Sequence, residues 1–457
     1  MNPTIGGVMP GRHHVADHVD FKPTHEFDAR LVINGRPSPL CGVKLWLPID
    51  CHEDARIQVT GSDPASSPHP RSFDGTIGSQ RLVSEIDPAR GFEVEADALH
   101  VRRVNTKLGQ RVHGADITID HIGRLQFKQR LGKGTAAEAD PNETCTTILF
   151  RLSDLDYGGP HAIPITDYRG NRKVKVSRFR TLKMRFSNKL VKLELHRHWN
   201  WYQGKFDRLV AGSFPVLEIK QSQSLKWGQL EEIQMLGRDA CLLLTLAARH
   251  LTVVHVMDAA TKERRLEEWI YPLNRQRSTT EEEATGPLID ESELEDYFSS
   301  ASVNWTTLTD QQRDAVRLAI FSIHPTVESS IEGSFLRMFT ALDGLAKTWF
   351  PDLRKIHKKI PALMTVFPPR VGGLWPIIDS NEDGLNAIRD HLAHGGSMGG
   401  QRMEALSVGI DHLQIWIERI LLAILAFPHT VSPQDWLSRH VQEQRSELPR
   451  LRAAVKA

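Results

Sequence analysis

From Glu26 to Lys220 short apolar runs alternate with turn residues such as Asn34-Gly35, Pro37-Ser38-Pro39, Gly158-Gly159-Pro160 and Arg169-Gly170-Asn171, which predicts a mostly antiparallel β region. Leu190 to Arg197 is the clearest strand, with Val191, Leu193 and Leu195 on one face and Lys192, Glu194 and His196 on the other. Trp227 to His250 reads as a helix. Leu251 to Met257 and Leu266 to Tyr271 then read as a hairpin around the charged turn Asp258 to Arg265. The period lengthens further on: Asp310 to Ile323, Ile331 to Phe350, Glu382 to His394 and Gln401 to Phe427 read as successive helices. Phe335, Phe339, Leu342 and Leu345 give the second of these an apolar stripe. Four such helices make a bundle.

The pattern divides the chain into a β-rich domain over 1–225, a helix-plus-hairpin connector over 226–277, an acidic linker over 278–305, a helical bundle over 306–430 and a helical tail over 431–457. The expected class is α+β, with an antiparallel, sandwich-like front followed by an all-α bundle. At 457 residues the chain exceeds one ordinary core, which agrees with several domains.

Net charge is +1 and by itself argues for no partner, but the charge is unevenly placed. Ten Lys or Arg residues fall between Arg169 and Lys192 with no acid among them, while Glu281, Glu282, Glu283, Asp290, Glu291, Glu293, Glu295 and Asp296 crowd a later stretch. The composition of Ser278 to Pro287 suits a mobile linker. In Lys173-Val174-Lys175-Val176 and Leu182-Lys183-Met184-Arg185-Phe186 the alternation puts Lys173, Lys175, Lys183 and Arg185 on the exposed face of a sheet. That face can track a phosphate backbone, or its cations are simply solvent-facing residues.

Cys41, Cys51, Cys145 and Cys241 are scattered and read as reduced thiols. The N-terminus lacks a charged start followed by an apolar run, and Ile420 to Phe427 is too short to span a bilayer. Cytoplasmic location and no membrane partner are therefore expected. His196 with His198, and the group His13, His14 and His18, come without carboxylate or cysteine partners at ligand spacing. The expectation is no metal and no cofactor.

The chemistry concentrates in Asn386-Ala387-Ile388-Arg389-Asp390-His391-Leu392-Ala393-His394-Gly395-Gly396. Arg389 is permanently charged and can hold a phosphate at two points, while His394 can move protons near neutral pH. Spacing alone is weak evidence in a chain with 21 histidines: Arg12 with His18, Arg249 with His255 and Arg317 with His324 repeat it loosely. What separates Arg389 is context, since Leu385, Ile388 and Leu392 form a helical stripe that leaves Arg389 and Asp390 off the core face. Five helical residues advance about 500°, so Arg389 and His394 stand roughly 140° apart unless the helix end lets the histidine swing out. Gly395 and Gly396 supply such an end. Asp390, four residues before His394, is placed to accept a hydrogen bond from its ring. His391 is a bystander or a second phosphate contact. The bland alternatives are a solvated Arg-Asp pair and a histidine that merely complements the helix dipole.

The Arg389-Asp390-x-x-x-His394 run resembles the Arg-x4-6-His signature of HEPN ribonucleases, in which a polar residue usually follows the arginine. Together with Phe335-Leu336-Arg337-Met338-Phe339-Thr340-Ala341-Leu342-Asp343-Gly344-Leu345 and the long terminal helix, it resembles the HEPN module of ApeA-like anti-phage proteins in particular. The resemblance covers about the last third by motif and the β-rich front by layout alone. It implies a metal-independent endoribonuclease acting in abortive infection on cellular RNA, transfer RNA included, with 2′-hydroxyl attack and cyclic phosphate ends. Arg389 and His394 would be catalytic, with Asp390 and His391 supporting them. It also implies a homodimer or higher even oligomer, a phage-derived trigger, and a front that senses the trigger or holds substrate. The rival readings are a non-catalytic RNA-binding or oligomerising bundle with a ligand-binding β domain, and an enzyme centred in the β domain.

Overall fold

The computed structural model describes residues 25–33, 36–46, 56–60, 80–84, 92–107, 114–130, 140–152, 155, 162–166, 172–176, 180–186, 189–203, 209–219, 225–270, 286–324, 330–394, 400–427 and 436–456. Within them the chain is α+β, with antiparallel strands and several helices, and forms two compact units.

The first unit draws on Met1–Glu85, Asp97–Ile122 and Trp199–Ser213. Here β1 (His25–Ile33) pairs with β2 (Arg36–Trp46) on one side and with β4 (Gln80–Ser84) on the other, while β3 (Arg56–Thr60) joins β2 to the first half of β6 (Gly114–Arg130). Ile33 pairs with Arg36, so the ladder begins at the residues flanking Asn34-Gly35, the sequence signal for a tight hairpin. Ala29, Val43 and Leu45 are buried in this unit.

In the second unit, β10 (Arg180–Phe186), β11 (Lys189–Gln203), β12 (Leu209–Ile219), β7 (Thr147–Leu152), β13 (Val254–Ala260), β14 (Arg264–Ile270) and the second half of β6 lie side by side in that order. Alternation on β11 holds as the pattern predicts: Val191, Leu193 and Leu195 are buried and Lys192 is exposed. The hairpin expected to be part of a connector is instead inserted in this sheet, β13 pairing with β7 and β14 with β6. Its turn is only Thr261 to Glu263, because Asp258 and Arg265 pair across the strands and allow both to continue through charged positions.

Nine α-helices are described: α1 (Leu230–Ala248), α2 (Leu294–Thr307), α3 (Asp310–Ser322), α4 (Ile331–Trp349), α5 (Ile356–Val366), α6 (Leu385–Ala393), α7 (Gln401–Ile424), α8 (Trp436–Glu443) and α9 (Leu448–Lys456). The expected acidic linker over 278–305 is helical from Leu294 onward. Leu294, Tyr297, Phe298, Ala301 and Trp305 recur at three- and four-residue spacing and are buried, while Glu295 and Asp296 stay outside. Leu288 and Ile289 are buried too, leaving 278–285 outside the described residues. The Tyr297 hydroxyl donates to the Leu243 carbonyl at 3.2 Å, tying α2 to α1.

One continuous core serves this unit. Phe150, Leu193 and Leu217 from the strands, Leu243 and Leu246 from α1, Phe335 and Phe339 from α4, and Leu413 and Ile417 from α7 all belong to it. At Gly237 a Cβ would come within 2.6 Å of the Phe150 ring, so the absent side chain sets how closely α1 approaches β7. Helices and strands therefore share a hydrophobic interior, and the division between the units falls within β5 (Phe92–Lys107), β6, β11 and β12 rather than near residue 225.

The basic sheet face is not a single face. Lys173 and Lys175 lie on β9 (Arg172–Val176), which pairs with β8 (Ala162–Thr166) in a separate two-stranded sheet, whereas Lys183 and Arg185 lie on β10 at the end of the larger sheet. Equal alternation in sequence fixes parity within a strand but says nothing about which strands are neighbours. The free edge of β10 is covered by α2: Glu295 Oε1 accepts from the Thr181 amide at 3.3 Å, and Ser302 Oγ donates to the Lys183 carbonyl at 3.2 Å.

Candidate active site on the sixth helix

The segment leading into α6 is fastened to α7 by one tryptophan. Trp375 is fully buried; its amide donates to His412 Nδ1 at 2.9 Å, its indole to the Asp383 carbonyl at 2.8 Å, and its own carbonyl accepts from Trp416 Nε1 at 2.8 Å. The amides of Leu385 and Asn386 bond the carbonyls of Pro376 and Ile377, both at 2.9 Å, satisfying donors at the start of the helix. Leu385 and Ile388 turn inward against α7 at Gly409, where a Cβ would lie 3.0 Å from Ile388 Cδ1 and 3.4 Å from Leu385 Cδ2. Burial on this stripe fixes the rotation of α6 and keeps Arg389 and Asp390 half-exposed.

Arg389 Nη1 donates to Asp390 Oδ1 at 2.6 Å, with side chains 40% and 50% exposed. The hydrogen bond that the spacing predicts, from the His394 ring to Asp390, is not formed. The carboxylate instead takes the permanent guanidinium one residue away. His394 caps the helix with φ −93° and ψ 15°, its amide bonding the Asp390 carbonyl at 3.1 Å. The near-helical backbone preserves the wide separation of Arg389 and His394 around the helix; Gly395 and Gly396, the expected swivel, lie outside the described residues. The His394 side chain is exposed and makes no hydrogen bond among the described residues.

His391 Nε2 lies 3.5 Å from Arg402 Nη1, and Arg402 Nε donates to the Ala454 carbonyl at 3.4 Å. Arg402 stands in the first turn of α7, after Gly400, whose φ of 58° and ψ of −126° favour a residue without a side chain. Ala454 belongs to α9, which is tied down by Arg450 to Glu404 and Glu447 and by Arg452 to Asp379 and Asp383. The Asn381 amide and the Arg452 guanidinium hold the Asp379 carboxyl below the usual carboxylate range. Arg402 carries no motif, and no spacing in the sequence reveals that α9 brings a carbonyl to it.

Other titratable groups are shifted by burial. The His412 imidazole, fully buried with Arg445 nearby, is pushed down to about 4. Burial, with His250, Arg337 and Arg249 around it, pushes His324 down to about 3. The Asp411 carboxyl is pushed up to about 6 by burial, opposed by His440. Among the described residues no group of three His, Cys, Asp or Glu is placed to hold a metal ion, and no helix is long and apolar enough to cross a membrane.

Chemically, the end of α6 offers an exposed imidazole that exchanges protons with solvent and a guanidinium whose partner is one exposed carboxylate that a phosphate can displace. Lys173 and Lys175 belong to β9, and Lys183 and Arg185 to β10, not to this helix. No family model matches the chain, and neither a curated protein nor a solved structure matches it.

Proposed function

We propose that the protein is a metal-independent endoribonuclease of HEPN type, acting on cellular RNA, transfer RNA included, in abortive anti-phage defence. The observation that carries the reading is the pairing, on one solvent-facing helix end, of the exposed His394 with the half-exposed Arg389 in the spacing of the resemblance. His394 takes the proton of a ribose 2′-hydroxyl, or supplies one to the departing 5′-oxygen. Arg389, drawn from Asp390, neutralises the charge that builds on the phosphorus oxygens. Because the nucleophile belongs to the substrate, no metal is needed to activate water, and the products carry a cyclic 2′,3′-phosphate and a 5′-hydroxyl.

Arg389 and His394 point apart within one chain, so the reading calls for two copies of α6 facing each other in a homodimer or a higher even assembly. A cleft lined by two copies supplies an acid and a base on opposite sides of the scissile bond. The Arg389–Asp390 ion pair favours a second reading, in which the helix end binds RNA or a second copy without cleaving.

Total RNA incubated with the purified chain, with and without chelator, separates the two. Cleavage with 5′-hydroxyl ends that survives chelation and falls by roughly 10²- to 10⁴-fold in His394→Ala supports the ribonuclease. Intact RNA, or equal cleavage by His394→Ala, refutes it.

A further inference from the structure

We propose that Arg402 is the phosphate-holding cation beside His394, contacting an RNA backbone phosphate next to the one being cleaved. This rests on the ribonuclease reading and adds to it a residue outside the motif.

His394 follows His391 by three positions, an advance of about 300°, so the two histidines stand roughly 60° apart on α6, whereas Arg389 lies about 160° from His391 and about 140° from His394. Arg402 meets His391, at 3.5 Å, and therefore lies on the His394 side of the helix. Among the described residues, Arg402 is thus a guanidinium on the same side of α6 as the exposed imidazole.

Its electrostatic surroundings favour an anionic ligand. Arg389 is matched by Asp390, Arg450 by Glu404 and Glu447, and Arg452 by Asp379 and Asp383. Arg402, half-buried among them, has only a ring nitrogen and a peptide carbonyl at 3.5 and 3.4 Å, and no carboxylate partner among the described residues. Both contacts are long and neither is to a carboxylate, so a phosphate, forming shorter charge-assisted bonds to the planar fork, would displace them. Helix stability gives no reason for a cation here, since the first turn of α7 is the positive end of its dipole. The glycine-favouring backbone at Gly400 turns the chain directly into that first turn, two residues before Arg402.

The test measures binding in the full-length His394→Ala chain, using a fluorescein-labelled single-stranded RNA of about twenty nucleotides and fluorescence anisotropy between about 50 and 200 mM salt. Adding Arg402→Gln should weaken binding about tenfold at the low end and make the slope of log affinity against log salt shallower by about 0.7. Arg402→Lys should keep the slope and lose only part of the affinity. Arg402→Met, which keeps the aliphatic length, replaces the glutamine variant if circular dichroism shows that variant unfolded.

Unchanged affinity and slope in a folded Arg402→Gln or Arg402→Met chain overturn the proposal alone, as does weaker binding with an unchanged slope, which marks a packing effect. RNA cleavage persisting in His394→Ala while the Arg402 variants still bind weakly and with the shallower slope removes the catalytic role of His394 and leaves the phosphate contact standing. No RNA binding by the His394→Ala parent overturns both.

Discussion

Glu418→Leu should unfold the second unit at a markedly lower temperature, and the size of the effect follows from one buried ion pair. Arg249 and Glu418 have side chains 1% and 0% exposed, joined by Nε to Oε1 at 2.8 Å and Nη2 to Oε2 at 2.7 Å. Gln414 Nε2 adds a bond to the same carboxylate at 2.9 Å. The pair bolts the C-terminal end of α1 to the middle of α7. Removing the carboxylate leaves a guanidinium in the interior without its counter-charge, which costs about 3–5 kcal/mol. At ~1.4 °C per kcal/mol for a unit of about 330 residues, the melting temperature should fall by ~4–7 °C. Replacing both partners, as Arg249→Met with Glu418→Leu, removes the stranded charge and should restore all but about 2 kcal/mol. Thermal scans of the full chain by circular dichroism measure both variants. A single variant that melts within ~2 °C of the parent, or a double variant as unstable as the single, would refute the reasoning.

Gly409→Leu should lower the melting temperature by the equivalent of about 1–3 kcal/mol and reduce RNA cleavage with it, because any side chain there meets Ile388 and pushes α6 away; wild-type values in both assays would show that α6 does not need this close approach. Asp390→Asn should strengthen RNA binding by releasing Arg389, read by anisotropy, and weaker binding would show that the carboxylate orients the site. Stability should fall as pH drops from 7 to 5. His324 and His412, with folded values of about 3 and about 4, take up protons in the unfolded chain from about pH 6.5 downward and so favour unfolding. Asp411 opposes them: its folded value of about 6 lies above the unfolded one, so its contribution is fully present at low pH and is lost as pH rises through 6. Two histidines against one carboxyl leave a net loss on the order of 2–3 kcal/mol at pH 5, measured by chemical denaturation across pH. A flat profile would contradict the burial of both rings.

Helices α3, α4, α6 and α7 were legible because their ends are written locally. Thr309 and Gln312 form a reciprocal cap, Ser330 caps α4 through the Gly333 amide, and the apolar stripes keep one period between such stops. α2 was hidden by its own surface. Its acids dominate the composition of the segment, while the inward residues appear only when counted at helical spacing. α5 was missed because Pro361 lies inside it and because Lys359, a residue that reads as exposed, is buried against Asp343 at 2.6 Å. At the site, Arg389 and His394 were readable from type and spacing, but the partner of Asp390 was not, since it depended on which of two neighbours bound more tightly. The split of the basic strands between two sheets was beyond reach for a similar reason: pairing across loops is decided by tertiary packing.

The insertion of the β13–β14 hairpin between β7 and β6 also sets a timetable for biosynthesis. Thr147–Leu152 cannot gain its second neighbour until Val254–Ala260 has left the ribosome, and α2 to α9, with Arg389 and His394 on α6, emerge after that. When they arrive, the surface they need already exists, because Phe150, Leu193 and Leu217 precede them in the chain and share their core. A fragment begun at Thr306 inherits the motif helix without that surface and lacks most of α2 as well. Internal initiation after Ile270 would therefore yield these helices without the strand and α1 residues that share their core.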